Sequence, residues 1–313
     1  MKKLLAVPCA MLFFAPLQAQ IAFGGEPLGA KAIKMGLPEA PVVRMPDVDA
    51  AALMAEDDAR AAAGIKGPYR FGYNHATDLT LQNSGVWSTL PNGDRVWRLA
   101  ILCPGAYSIN FEFNTYVVPS GAQVFVWNDR GEHLGAFTAE SNPGHTELGV
   151  TQLPGNRITI EYHEPVAVAG QGQLRIGQVT HAYRDIFHML RGLGDSGSCN
   201  NNVICPEGDD WRDQIASVAM ITVGGSGLCT GQLLNDCNNS GIPYFLTANH
   251  CVSGGVGGWV FRFKWESPTC TPTTNGPTSY TISGCNLLVN SANSDVALLQ
   301  LNSPPPDSYG IYY

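Results

Sequence analysis

Between residues 69 and 181, apolar and polar positions alternate in short runs. Asp78-Leu79-Thr80-Leu81, Arg95-Val96-Trp97-Arg98-Leu99, Tyr107-Ser108-Ile109-Asn110-Phe111, Gln123-Val124-Phe125-Val126-Trp127 and Arg157-Ile158-Thr159-Ile160-Glu161-Tyr162 each carry a period of two. That period sends successive side chains to opposite faces, so each run predicts a strand with one face buried. Turn chemistry separates the runs, at Pro91-Asn92-Gly93-Asp94, Pro119-Ser120-Gly121, Asp129-Arg130-Gly131 and Pro154-Gly155-Asn156. Short strands at this spacing predict a β-sandwich, with Trp87, Trp97 and Trp127 in its core.

A second set of short runs lies at 216–223, 231–234, 244–246, 259–265, 279–282 and 296–301, with Gly-rich turns and almost no helical pattern. These predict one small barrel, or half of a two-barrel protein. Between the sets, residues 184–190 read as a short helix or linker. Gly192-Leu193-Gly194-Asp195-Ser196-Gly197-Ser198 is flexible by composition and places a domain boundary there. Upstream, residues 20–68 are rich in Ala, Pro, Gly and acidic residues and hold one helix candidate, 47–63, with little apolar face. They read as an exposed leader. At the start, Lys2 and Lys3 precede an apolar run over 4–17 that is too short to span a bilayer, and Leu17-Gln18-Ala19 offers a small residue for cleavage. The expected organisation is a signal peptide at 1–19, a leader at 20–68, a sandwich with its linker at 69–193 and a barrel at 194–313. No later membrane span is expected, so the product should be soluble and secreted.

Cysteine usage and charge narrow the functional classes. Cys9 lies in the signal peptide and Cys103 in the sandwich, while Cys199, Cys205, Cys229, Cys237, Cys251, Cys270 and Cys285 crowd the last third. Export makes disulfides the expected state of that cluster, and its odd count leaves one cysteine without a partner there. No Cys-x-x-Cys pair occurs, which argues against a zinc knuckle; neither a metal nor another cofactor is expected. The net charge is −8, with +2 in 1–19, 13 basic against 17 acidic side chains in 20–193 and 3 against 9 in 194–313. Nucleic-acid binding relies on clustered Lys and Arg, so a nucleic-acid partner is disfavoured.

The chemistry concentrates in Thr247-Ala248-Asn249-His250-Cys251, which closes the apolar run Tyr244-Phe245-Leu246. A histidine at the end of a buried strand, with a cysteine behind it, suggests a general base braced by a disulfide. Asp295 opens a second apolar run, Val296-Ala297-Leu298-Leu299. Hydrolysis by a serine needs an imidazole to take the hydroxyl proton, a carboxylate to orient that imidazole, and an oxyanion hole; His250 and Asp295 suit the first two roles. Singly each signal is weak, because a histidine at a strand end is usually structural and an Asp before a strand is usually a turn residue. His163, His181 and His188 lack metalloprotease spacing and read as surface or packing residues.

Together the blocks say more. Leu228-Cys229-Thr230-Gly231-Gln232-Leu233-Leu234, then Phe245-Leu246-Thr247-Ala248-Asn249-His250-Cys251, then Ser294-Asp295-Val296-Ala297-Leu298-Leu299 resemble, in order and spacing, the three blocks of the first barrel of trypsin-like (chymotrypsin-fold) serine proteases. Gly197-Ser198-Cys199 followed by Cys205-Pro206-Glu207-Gly208-Asp209 resembles the mature amino terminus of the bacterial lysyl endopeptidase family. The resemblance covers about 194–305, and residues 69–181 look like the β-rich pro-segment of related secreted proteases. It implies an all-β chain, a β-sandwich pro-domain followed by the first β-barrel of a chymotrypsin-like serine protease. It also implies His250 as general base, Asp295 as its orienting carboxylate, and Cys229–Cys251 and Cys205–Cys270 bridges. In that family the cysteine matching Cys199 bonds to the second barrel. Cys237 and Cys285 have no counterpart and are expected to pair because they remain.

The resemblance further implies a secreted endopeptidase precursor acting on proteins or peptides, with lysine preferred at the cleaved position and the pro-segment as partner of its own protease domain. Gly194-Asp195-Ser196-Gly197 spells the nucleophile block of such enzymes, yet it precedes His250 and follows no strand that would fix an oxyanion hole. Ser196 is therefore not expected to be the nucleophile. Downstream of Asp295 stand Ser303 and Ser308, neither with a Gly-x-Ser-Gly surround. The chain is thus expected to stop before the second barrel and to be inactive by itself. Its last segment holds a single lysine, Lys264, which fits a lysine-cutting enzyme sparing itself or a lysine-poor acidic exported protein equally well. Leu193 precedes Gly194, so self-processing at lysine is not supported; another protease acts, or the boundary lies elsewhere. The competing reading is a non-catalytic secreted binding protein with a remnant protease half-domain. A cysteine protease using His250 needs a reactive thiol, and Cys251 is better explained as disulfide-bonded.

Overall fold

The structure, a computed structural model, describes residues 24–31, 36–187, 199–271, 276–277 and 279–311. The expected signal peptide, residues 188–190 of the expected linker helix, and Ser196 with its surrounding motif lie outside them.

The first part contains β1 (Val42–Arg44), helix α1 (Ala50–Ala62), β2 (Tyr69–Arg70), β3 (Gly72–Thr80), β4 (Val86–Thr89), β5 (Arg95–Leu102), β6 (Ser108–Val117), β7 (Gln123–Asn128), β8 (His133–Phe137), β9 (Leu148–Pro154), β10 (Arg157–Glu164) and β11 (Gln173–Ala182). The second part contains helix α2 (Arg212–Ser217), β12 (Val218–Val223), β13 (Gly227–Leu234), β14 (Tyr244–Thr247), β15 (Val260–Phe263), β16 (Thr281–Ser283), β17 (Cys285–Ser291) and β18 (Val296–Leu301). The chain is all-β, as its alternation predicts.

A six-stranded sheet in the order β1-β5-β10-β7-β8, with β4 on β5, faces a four-stranded sheet, β3-β11-β6-β9. Inward residues of the first sheet, among them Trp97, Leu99, Val126 and Ile160, share one core with Phe111, Phe113, Val150 and Ile176 of the second. Two packed sheets hiding their apolar faces make the sandwich. Trp97 lies in this core and Trp87 packs against it half-buried. Trp127 instead faces outward under the leader, where a side chain on Gly29 would collide with its indole. The leader is tied to the sandwich more closely than its composition suggests, since β1 adds to β5 in parallel. Its helix α1 is capped by the Asp49 carboxylate and buries no residue, as the thin apolar face predicts. Residues 184–187 form bends, not helix.

The second part is a curled eight-stranded sheet in the order β16-β15-β12-β13-β14-β18-β17, with β2 paired to β13. It encloses Ile221, Leu233, Phe245, Trp259, Phe261, Phe263 and Leu299. Cys205–Cys270 and Cys229–Cys251 are disulfides. The expected Cys237–Cys285 bridge is corrected: both thiols are free. Cys237 is exposed in a turn organised by the Asp236 carboxylate, which accepts from the Asn238 and Ser240 amides. Cys285 is buried at the start of β17, its thiol donating to the Val256 carbonyl at 3.4 Å.

Sandwich and barrel meet through polar groups. Asn74 and Gln178 donate to the Gly224 carbonyl, Asn110 to Gly225, and the Ser283 hydroxyl to Gly149. At Gly149 the backbones approach so closely that a Cβ would strike the Gly258 carbonyl. Glu112 lies against Gly258, and a Cβ there would collide with its carboxyl. Burial, and next the neighbouring Glu147, push the Glu112 carboxyl above the usual carboxylate range. A raised acid binds its proton more tightly when docked, so it favours the folded contact in acid and weakens it as pH rises through the raised value. Glu112→Gln is therefore expected to raise the thermal unfolding midpoint at pH 8 and to leave it unchanged near pH 4, read by scanning calorimetry at both values; an equal shift at both would contradict this.

Candidate active site

Strand pairing brings His250 and Asp295 together. In the β14–β18 ladder, Thr247 opposes Ala297 and Leu246 opposes Leu298. Residues just past the end of β14 therefore lie beside those just before β18. His250 sits in the short turn Asn249–Cys251, closed by the Cys251 and Val252 amides donating to the Ala248 and Asn249 carbonyls. The Thr247 hydroxyl donates to the Thr230 carbonyl, and the Asn290 amide to the Asn249 side chain. Behind the turn the Cys229–Cys251 disulfide ties it to β13 across a sequence separation of 22. Closing a loop of that size restricts the unfolded chain by about 3 kcal/mol.

Asp295 has φ of +52°, a left-handed conformation that Asp tolerates better than most residues and that recurs at functional positions. Both carboxylate oxygens face His250. Oδ1 accepts from the His250 backbone amide at 2.9 Å, and Oδ2 lies 2.8 Å from ring Nδ1. Those hydrogen bonds, from the ring first and the amide second, hold the Asp295 carboxyl below the usual carboxylate range. A depressed acid stabilises the fold above its unfolded value and loses that contribution as pH falls through the folded one. A carboxylate only accepts, which fixes a proton on Nδ1 and leaves the Nε2 lone pair to take another. Among the described residues, the His250 ring makes no other hydrogen bond.

Ligating-type atoms of Cys229, His250 and Cys251 lie within 4.8 Å of one another. Both sulfurs are spent on the disulfide and offer no thiolate, so the cluster does not fit a metal; the same bond removes Cys251 as a reactive thiol. Sequence reasoning missed Lys66, whose Nζ lies 3.6 Å from Asp295 Oδ2. No motif marks it, because its position depends on how the leader crosses the barrel.

An all-β barrel that sets a histidine against an aspartate across these strands has the chymotrypsin-like architecture. Residues 193–313 match the family model described as lysyl endopeptidase, C-terminal domain. The chain is also 26% identical over 260 residues to the lysyl endopeptidase of Pseudomonas aeruginosa, an alignment covering 72% of this chain and 53% of that protein. Residues 193–313 are thus similar to the C-terminal domain of lysyl endopeptidases, and the chain spans about half the length of the curated relative it matches.

Proposed function

We infer that this chain carries the general base, His250, and its orienting carboxylate, Asp295, of a secreted serine endopeptidase precursor that cleaves after lysine. The observation that carries this reading is the two-point grip of Asp295 on His250, through the backbone amide and ring Nδ1. One bond fixes where the ring is and the other which nitrogen holds the proton, and a base for serine attack needs both. Neither Ser303 nor Ser308 has the Gly-x-Ser-Gly surround of a nucleophile, so neither is assigned that role. The sandwich is the pro-segment, and the disulfides suit an exported product.

The test is a peptidase assay on the secreted product of the open reading frame that encodes these residues, with lysyl and arginyl reporter peptides and a serine-directed inhibitor. Cleavage after lysine that the inhibitor abolishes is expected. An inert product, or cleavage indifferent to the inhibitor, would overturn the reading and favour a secreted binding protein.

A further inference from the structure

Two histidines lie side by side in the sandwich core, each with a ring nitrogen left unbonded. β3 and β11 pair antiparallel so that Val179 opposes His75 and His181 opposes Tyr73. Cross-strand partners share a face of the sheet, as do residues two apart, and Val179 belongs to the core. The pairing of β11 with β6 agrees, since it sets His181 opposite the buried Ile109. Both imidazoles therefore lie on the inward face, where His75 is 8% exposed and His181 2%. Their ring centroids are 6.2 Å apart. Tyr73, which packs edge-on against His75 at 5.1 Å, is 45% exposed, so the pair lies one ring in from the surface.

His75 Nε2 and His181 Nδ1 are shielded from water and find no hydrogen-bond partner among the described residues. His163 and His250, by contrast, face the carboxylates of Asp94 and Asp295. A neutral imidazole carries one N–H and one lone pair. Burial lowers the affinity of both rings for a second proton; for His181 the neighbouring His75 lowers it further, while Asp47 of the leader acts the other way. The rings are therefore neutral near pH 7, the form that ligates metals. A polar atom left bare in a core works against folding, and packing alone would be served better by apolar side chains at both positions. Two imidazoles that ligate one ion through nitrogens about 2.1 Å from it bring their centroids to within about 6.6 Å of each other. The observed separation lies inside that reach. Ca2+ and Mg2+ seek oxygen, whereas imidazole nitrogens suit Zn2+ and Cu2+.

We propose that His75 and His181 bind one divalent d-block ion of the zinc or copper kind, which ties β3 to β11 at the rim of the sandwich core with Asp47 as its counter-charge. Water completes the coordination. No motif marks the site in the sequence, because the two histidines stand far apart in the chain and meet only when the first strand of that sheet pairs with the last.

The test uses the full chain, freed of metal with a chelator, and Zn2+ titrated near pH 7 by isothermal calorimetry. One ion per chain is expected to bind. His75→Gln and His181→Gln should each weaken that binding at least about 10-fold, while His163→Gln and His250→Ala, which remove histidines elsewhere, should leave it unchanged. Binding that survives both sandwich substitutions, binding lost in His163→Gln or His250→Ala, or no binding at about 100 μM Zn2+, which would leave water as the partner of the two rings, would each overturn the proposal. Where the glutamine variants lose the native circular dichroism spectrum, X-ray absorption by the wild type loaded with one equivalent of Zn2+ decides. Two imidazoles around the ion support the site, and one or none refutes it. Binding is read without turnover, so the result stands apart from the endopeptidase reading.

Discussion

Asp295→Asn is expected to lower kcat of the proposed endopeptidase on a lysyl reporter by about four powers of ten, or about 5 kcal/mol of transition-state stabilisation. The carboxylate accepts from His250 at two points, the ring and the backbone amide. An asparagine can keep the bond from the amide with its carbonyl oxygen. Its NH2 then faces Nδ1 as a donor, and the imidazole answers by carrying its proton on Nε2. The ring stays where it was with the wrong nitrogen protonated, and it can no longer take a proton from a serine. Because the substrate does not touch Asp295 in this scheme, KM should change little. The measurement is steady-state kinetics on the purified secreted enzyme, with circular dichroism to show that the fold persists. A fall in kcat of less than 10-fold would mean that Asp295 does not orient the base. His250→Ala should be equally inactive, and the double variant no worse than either, since the two act as a unit.

The pair could be read in the sequence because each residue sits at the end of an apolar run, and strand ends meet when neighbouring strands pair antiparallel. Tyr244-Phe245-Leu246 before His250 and Val296-Ala297-Leu298-Leu299 after Asp295 make up most of β14 and β18. The strands that alternation missed have physical reasons for being missed. β9 is buried on both faces, so Thr151 and Gln152 look like solvent positions while they face the barrel. β11 shifts register between Ile176 and Gln178, which breaks its period of two. β17 is largely exposed and its register shifts between Leu287 and Val289. The stretch 216–217 extended the apolar pattern of β12 but ends helix α2 instead. Lys66 and the pairing of β2 with β13 were illegible for a different reason. Two residues of pairing, between positions more than 150 apart in the chain, leave no local pattern, and the surrounding composition is that of an unstructured leader. The family resemblance supplied both disulfides that form; the pair assigned by elimination, Cys237 with Cys285, is the one the fold refuses.

Gln152→Leu is expected to destabilise the chain by about 3 kcal/mol, and most of that cost should vanish in an Arg262→Met background. Arg262 projects from β15 into the seam between barrel and sandwich and is fully buried. Its Nη2 donates to the Thr151 hydroxyl and to Gln152 Oε1 at 2.6 and 2.9 Å. Nε and Nη1 find no partner among the described residues. The rings of Phe187 and Trp265 lie 5.6 and 5.8 Å from the guanidinium carbon, and burial lowers its pKa to about 10. The side chain thus remains charged at neutral pH with neutral acceptors alone to stabilise it. Removing one acceptor leaves a buried charge still less compensated, which is the expensive kind of loss. Removing the charge itself with a residue of similar length costs little or even stabilises. Urea unfolding of the four proteins in the cycle checks this, and the same Gln152→Leu cost in both backgrounds would refute it. The imbalance also bears on what the seam is for. Separating the sandwich from the barrel returns the guanidinium to water and relieves Glu112 of its burial beside Glu147, so both charged groups favour release. An interface meant to last would neutralise them. This one is held closed by the covalent link, by the pairing of β2 with β13 and by the hydrogen bonds to Gly224, Gly225 and Gly149.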